Sequence, residues 1–144
     1  MIVVGQRGES HALLERPGIG DVIVRPAVAQ SELQDIYRGA DCFVLASRHD
    51  SFGMVVVEAM ACGLPAIVSE MVGAREVIEE GKSGWVVPLS NAPALAERMA
   101  WCVENRAALA AMRPAARTAA EGYGWDRYGE RLAAVMTGIL SGQR

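Results

Sequence analysis

Residues Asp50 to Pro65 read D-S-F-G-M-V-V-V-E-A-M-A-C-G-L-P, and the reading of this stretch decides the fold. Two carboxylates, Asp50 and Glu58, stand with seven residues between them, around a turn-forming S-F-G and the start of a helix. Beyond Glu58 the chain stays apolar until Gly63 and Pro65 stop it. Met54, Val55, Ala61 and Cys62 are the neighbours of Glu58 at helical spacing, and none of them carries a charge. Such a carboxylate has no partner along its own helix. Burying it unpaired is costly, so it belongs at a hydrogen bond, a cleft edge or a polar ligand. A ligand with hydroxyls would serve.

Upstream, Ala40 to Ser47 (A-D-C-F-V-L-A-S) reads as a short buried strand. Arg48 to Ser51 is then a loop at its carboxyl end, and a helix begins near Phe52 or Gly53. In an open α/β sheet, ligands bind at that end of the strands. The first amides of the helix, around Gly53, Met54 and Val55, lack intrahelical acceptors and carry the positive end of the dipole. They suit a phosphate or an electronegative sugar oxygen, and Gly53 lets the backbone approach closely. A purely structural reading stands beside this one. Asp50 or Ser51 would be an ordinary N-cap, and Glu58 would pair with a distant arginine.

Further out, strands and helices alternate. Met1 to Gly5 reads as a strand, Glu9 to Glu15 as a short helix within a loop, and Asp21 to Arg25 as a second strand ended by Pro26. Ser31 to Arg38 is an amphipathic helix with Ser31 as N-cap and Gly39 as its stop. After the Glu58 helix come a strand at Leu64–Ser69, a short helix at Gly73–Glu80 and a strand at Gly84–Val87 ended by Pro88. Helix follows from Ser90, with Ser90 or Asn91 as cap and Pro93 in the first turn. Pro114 should break it. The Ala-rich stretch from Ala107 to Ala120 is helix, and a last helix covers Trp125 to Leu140. This alternation predicts an α/β fold, a Rossmann-like parallel sheet with helices on both faces.

The bulk numbers exclude several classes. The 144 residues make one domain with a real core. A net charge of -3 gives no basic footprint for nucleic acid. Charges interrupt every apolar run well short of a membrane span. Cys42, Cys62 and Cys102 are far apart in sequence and read as buried free thiols in a reducing cytosol. His11 and His49 are isolated and no D-x-D pair occurs, so neither a metal site nor a cofactor is expected. Trp85, Trp101 and Trp125 read as core or packing residues.

The stretch H-D-S-F-G-M-V-V-V-E-A-M-A-C-G-L-P resembles the retaining glycosyltransferases of the GT-B fold, group 1, whose motif is E-x7-E in the form E-G-F-G-L-V-x-x-E-A-M-A-C-G-x-P. Here the first acid is Asp50. Ile2–Gly5, Leu33–Ser47, G-A-R-E-V-I at Gly73–Ile78, G-K-S-G-W-V-V-P at Gly81–Pro88 and G-W-D-R-Y at Gly124–Tyr128 also resemble that family, in order along nearly the whole chain. The resemblance implies that Glu58 accepts the ribose hydroxyls of a nucleotide. It implies that Asp50 is the catalytic acid that contacts hydroxyls of the donor sugar. The amides of Phe52, Gly53, Met54 and Val55, next to Ser51, would lie against the sugar and its phosphates. Pro26 and Ala27 would flank the base or form a plain turn. Glu76 would cap its helix, while Arg48 and Arg75 would reach a phosphate or stay solvated. Val72 stands where the family has the first glycine of a G-G pair, and Asp50 is one methylene shorter than a glutamate.

The same resemblance implies that residues 1–144 are a partial C-terminal domain binding a nucleotide-diphosphate sugar. The acceptor-binding N-terminal domain and the first strand and helix of this domain, with their Arg and Lys, would be absent. The expected function is therefore the donor-binding part of a retaining hexosyltransferase, inactive by itself. The acceptor would be a sugar or lipid held by the absent domain. The place would be the cytoplasm or, for a full-length protein, the inner face of the membrane. A non-catalytic nucleotide or sugar-phosphate binding module remains an alternative, as does a sugar-nucleotide epimerase or hydrolase of similar fold. In a sheet ordered 3-2-1-4-5-6, the five strands would be the second to sixth. Met1–Gly5 and Cys42–Ala46 would then close on each other, or a homodimer or strand-donating partner would complete the sheet.

Overall fold

The computed structural model describes residues 1–5 and 22–142. It divides into two compact units, Met1–Ile36 and Tyr37–Arg144. The expected helix at Glu9–Glu15, and Asp21, lie outside the described residues.

The first unit holds β1 (Ile2–Val4) and β2 (Ile23–Arg25), paired in parallel with Ile2 opposite Ile23. Helix α1 (Gln30–Arg38) begins here. Ser31 lies inside its first turn and is not the N-cap. Glu32, three residues into the helix, accepts the Ala29 N–H at 3.2 Å, the returning half of a capping box. A carboxylate there serves an otherwise orphaned amide, and the helix starts at Gln30, two residues earlier than a Ser31 cap implies. It ends before Gly39, as expected.

The second unit is built on a three-stranded parallel sheet, β3 (Phe43–Leu45), β4 (Ala66–Ser69) and β5 (Gly84–Val87), in that order. Side-chain alternation along β4 assigns the two faces. Ala66 and Val68 pack with Val56, Val57 and Met60 of α2 (Met54–Ala61) and with Ala116 and Ala120 of α5 (Arg113–Glu121). Ile67 points the other way, toward Cys102 of α3 (Ala92–Glu104) and Leu109 of α4 (Arg106–Ala111). Helices therefore cover both faces of this sheet, as the alternating pattern predicts. The strands are a residue or two shorter than expected at several ends. The helix expected at Gly73–Glu80 is a 3-10 turn over Gly73–Val77.

Caps and breakers fall where their chemistry puts them. Asn91 accepts the Ala94 N–H at 3.0 Å, with Pro93 in the first turn of α3. Pro114 opens α5 and so divides the Ala-rich stretch. The last helix, α6 (Trp125–Leu140), has the expected bounds but buries none of its residues. Trp125 is accordingly not a core residue: it is 74% exposed and stands edge-on to Tyr128. Trp85 is buried and stacks edge-on with Trp101, ring centroids 5.0 Å apart.

The strand neighbours are those expected, β1 beside β2 and β3-β4-β5 in sequence. The described strands form two sheets, β1-β2 in the first unit and β3-β4-β5 in the second. Of the thiols, only Cys102 is buried, while Cys42 and Cys62 are half-buried. Cys42 packs in the same apolar cluster as Cys102. Burial first, and the Cys102 sulfur next, push the Cys42 thiol far above its ordinary range.

Candidate functional site

The sequence from β3 to α2 folds as a strand, a tight turn and a short helix at the carboxyl end of the sheet. The turn is locked into the loop that follows β4. Asp50 N–H donates to the Met71 carbonyl at 3.2 Å, and Gly73 N–H donates to the Asp50 carbonyl at 3.1 Å. Asp50 and Val72 thus form a single parallel bridge. Ala74 N–H donates to the Phe52 carbonyl. The Ser69 hydroxyl donates to the Ser47 carbonyl, holding the two loops together just below.

Two glycines make this close fit possible. A Cβ on Gly73 would come within 2.3 Å of the Ser51 carbonyl oxygen and 2.8 Å of Phe52 Cα. A Cβ on Gly53 would meet Val72 Cγ1 at 2.7 Å, and Gly53 itself has φ 86°, a left-handed conformation suited to glycine. Val72 is extended (φ -94°, ψ 124°) and completely buried. Nothing in that backbone requires a glycine, and the side chain seals the space beneath Gly53. Substitution of the family glycine thus leaves this loop well packed.

Gly53 is the N-cap of α2, and no side chain caps the helix. Neither Asp50 nor Ser51 takes that role. The Asp50 carboxylate turns to its own loop instead, with Oδ1 accepting the Phe52 N–H at 3.2 Å. This is an Asx turn, which a short acid makes readily. Helix proper starts at Met54, one or two residues later than expected. Val56 N–H reaches the Gly53 carbonyl at 2.8 Å, while Met54 and Val55 supply the two amides ahead of it.

Glu58 is the fifth residue of α2 and is half-buried. It lies on the open stripe of the helix with exposed Met54, Val55 and Ala61 and half-buried Cys62, whereas Val56, Val57, Ala59 and Met60 form the buried side. The stripe solves the cost that the sequence raises for this carboxylate: the charge is kept at a surface. The helix ends at Gly63 (φ 83°), where Gly63 N–H bonds Met60 O and Leu64 N–H bonds Ala59 O, a Schellman closure. Arg117 adds a guanidinium to the Ala61 carbonyl at 3.1 Å, a cation at the negative end of the dipole.

The structure brings Asp50, Ser51, Phe52, Gly53, Met54, Val55 and Glu58 onto one turn and helix. Pro26 and Ala27 are exposed residues after β2, in the first unit. Arg75 donates to the Glu70 carbonyl, and Arg48 is exposed. Glu76 does not cap the 3-10 turn: no side-chain cap is present, and a carboxylate facing solvent there needs none. Sequence reasoning missed the close lock between the two loops. Its signal was present in Gly73, the one glycine retained of the family pair. Among the described residues, no group of His, Cys, Asp or Glu could hold a metal ion, and no helix is long and apolar enough to cross a membrane.

The family described as "Glycosyl transferases group 1" matches residues 1–119. The chain is 36% identical over 135 residues to the D-inositol 3-phosphate glycosyltransferase of Streptomyces bingchenggensis, covering 93% of this chain and 30% of that protein. It is 36% identical over 128 residues to D-inositol 3-phosphate glycosyltransferase 1 of Catenulispora acidiphila, covering 88% and 31%. Among solved structures, sucrose-phosphate synthase from Thermosynechococcus elongatus superposes with a TM-score of 0.83 at 22% identity, over 98% of this chain and 38% of that one. Anabaena HepE in complex with UDP superposes with a TM-score of 0.82 at 23% identity, over 95% and 40%. The chain therefore spans about a third of the length of the curated relatives it matches. With a matched profile over most of its length and the fold of the C-terminal half of a GT-B enzyme, the chain belongs to the group 1 glycosyltransferases.

Proposed function

We propose that this chain is the donor-binding part of a retaining group 1 glycosyltransferase that moves a hexosyl group from a nucleotide-diphosphate sugar to an acceptor hydroxyl. The observation that carries the reading is the N-terminus of α2. It is capped by a glycine and by no side chain, with Glu58 one turn further along on the open stripe. Uncapped amides and the helix dipole favour a diphosphate or sugar oxygen. Glu58 would accept two vicinal ribose hydroxyls. Met54 and Val55 supply amides, and Gly53 supplies clearance. In this structure the Phe52 amide is held by Asp50, so a sugar contact by the Asp50 carboxylate requires that carboxylate to turn outward. Pro26 and Ala27 would flank the base. The solved structures of Anabaena HepE with UDP and with UDP-glucose support a nucleotide-sugar donor for this fold.

The acceptor, a sugar or a lipid, would bind to other parts of a longer protein, and the work would be done in the cytoplasm. A homodimer or a strand-donating partner would complete the sheet. Transfer passes through an oxocarbenium-like state with a departing diphosphate, and such a leaving group needs positive charge around it. In this loop region Arg48 and Arg75 are both exposed, and Arg75 donates to the Glu70 carbonyl. We expect the isolated chain to bind donor without transferring it.

The test is a titration of UDP, GDP and ADP and their sugar conjugates into the chain, followed by turnover assays with the bound donor. Binding of one nucleotide without turnover supports the reading. Multiple turnovers to an acceptor would show a complete catalyst, and steady release of free nucleotide without acceptor would favour a hydrolase. No binding of any nucleotide rejects the donor role.

A further inference from the structure

Tyr123 is an aromatic residue that the donor-site reading leaves unused. It follows α5, and its N–H donates to the Ala120 carbonyl at 2.9 Å, so the end of that helix sets its place. Helix α5 in turn packs with α2 through Ala116 and Ala120. The Tyr123 ring meets the Phe52 ring of the donor turn, with centroids 6.1 Å apart and an interplanar angle of 35°. Both residues are half-buried and pack against the core cluster that holds Val56, Val72 and Ala74. Phe52 is thus gripped at three points. Asp50 Oδ1 accepts its N–H at 3.2 Å, its carbonyl accepts the Ala74 N–H, and its ring rests on Tyr123.

We propose that Tyr123 is a positioning residue for the donor turn: its ring clamps Phe52 and so fixes the direction of the Phe52 and Gly53 amides. The inference rests on the reading of that turn as a contact for the donor sugar and its phosphates. The same reading requires the Asp50 carboxylate to turn outward, and the Phe52 N–H then loses its acceptor. The Ala74 bond and the Tyr123 ring are the two grips that stay on Phe52. Gly53 follows directly, and a glycine by itself does little to restrain the backbone. Aromatic rings at this separation attract one another beyond the area they bury. A tyrosine has few side-chain torsions, so holding it in place costs little entropy. Amides oriented before the ligand arrives bind it more tightly than amides that the ligand must order. The contact lies between rings, so the clamp does not require the Tyr123 hydroxyl.

The first experiment needs no nucleotide. Amide hydrogen exchange is read by NMR in the wild-type chain, in Tyr123→Leu, which keeps an apolar side chain on the core, and in Tyr123→Phe, which keeps the ring. In Tyr123→Leu the Phe52 and Ala74 amides should exchange roughly twofold to tenfold faster, the size of one aromatic pair. The Leu64 amide, bonded to Ala59 O at the other end of α2, should keep its rate, because the opening is local. Tyr123→Phe should restore the wild-type rates. Unchanged rates at Phe52 and Ala74, or an equal rise at Leu64, overturn the clamp. The second experiment is calorimetry of UDP-, GDP- and ADP-glucose and of the free nucleotides. In Tyr123→Leu the affinity for the nucleotide-sugar that binds the wild type should fall roughly twofold to tenfold, and the affinity for its free nucleotide should fall less. In a Phe52→Leu background the same substitution should cost nothing further. Equal losses for the two ligands, or the same loss in both backgrounds, overturn the proposal. Failure of the wild-type chain to bind any of these ligands rejects the donor reading, and the exchange rates then decide the clamp by themselves.

Discussion

Helices α2 and α6 are opposites. Helix α2 is eight residues long, uncapped at its start and almost wholly apolar, yet four of its residues are buried and its single charge faces outward. Helix α6 is twice that length, with an apolar stripe through Trp125, Tyr128, Leu132, Val135, Met136 and Ile139, and it buries nothing. An isolated eight-residue helix does not persist in water. Packing against β3, β4 and α5 therefore holds α2, and this frees its first amides from any need for a side-chain cap. Helix α6 buries no such face. The difference teaches that patterning reveals a helix, whereas burial and capping reveal which helix end is available to a ligand.

Paired truncations should break the comparison most visibly. Met60 is fully buried between the sheet and α5, so Met60→Ala should cost about 2–5 kcal/mol. Leu132, 48% exposed on α6, should change stability by less than about 0.5 kcal/mol when replaced by alanine. Chemical denaturation of the two variants gives both numbers. Equal losses would mean that α6 is packed in solution.

Glycines offer a second pair with opposite signs. Gly73→Ala forces a methyl into the Ser51 carbonyl and should destabilise by about 3 kcal/mol. Gly138 lies within α6 with open space around it, so Gly138→Ala should stabilise by about 0.5–1 kcal/mol. Thermal melts of the two should move in opposite directions.

The smallest effect separates the half-open stripe of α2 from the closed face beneath α3. Burial raises both the Cys42 and Cys102 thiols, while Cys62 ends α2 half-exposed. Only a thiolate reacts readily, so iodoacetamide near neutral pH should label Cys62 first, as read by mass spectrometry. The raised pair also sets a sign for stability. Above the ordinary thiol value of 9.0 the unfolded chain loses these protons first. Their contribution is therefore complete below about pH 9 and falls as pH rises further.

Much of this was legible in the sequence, and the exceptions have physical causes. β5 and α6 have the expected bounds because glycine and proline signals, Gly84 with Pro88 and Gly124, mark their ends. The start of α2 was misplaced because Asp50 resembles an N-cap, yet its carboxylate bonds an amide two residues on and leaves the cap to Gly53. No local signal reports that choice, since it depends on Val72 and Gly73 arriving from another loop. The placement of Glu58 was readable from its uncharged helical neighbours. The fate of Trp125 was not, because an amphipathic stripe does not say whether a partner covers it. Cys42 and Cys102 meet only through the packing of α3 on the sheet, so their spacing in sequence was silent.

The central claim is that the uncapped end of α2 and Glu58 together bind a nucleotide-sugar. Its most direct measurement is calorimetry of UDP-glucose, with the GDP and ADP sugars in parallel, against the wild-type chain and Glu58→Ala. The expected result is one nucleotide-sugar that binds the wild type, loses about 2–4 kcal/mol of binding in Glu58→Ala through two lost hydrogen bonds to a charged acceptor, and leaves the melting temperature unchanged. Equal affinity in the two proteins would contradict the assignment of Glu58, and heat-silent titrations with every donor would contradict the site as a whole.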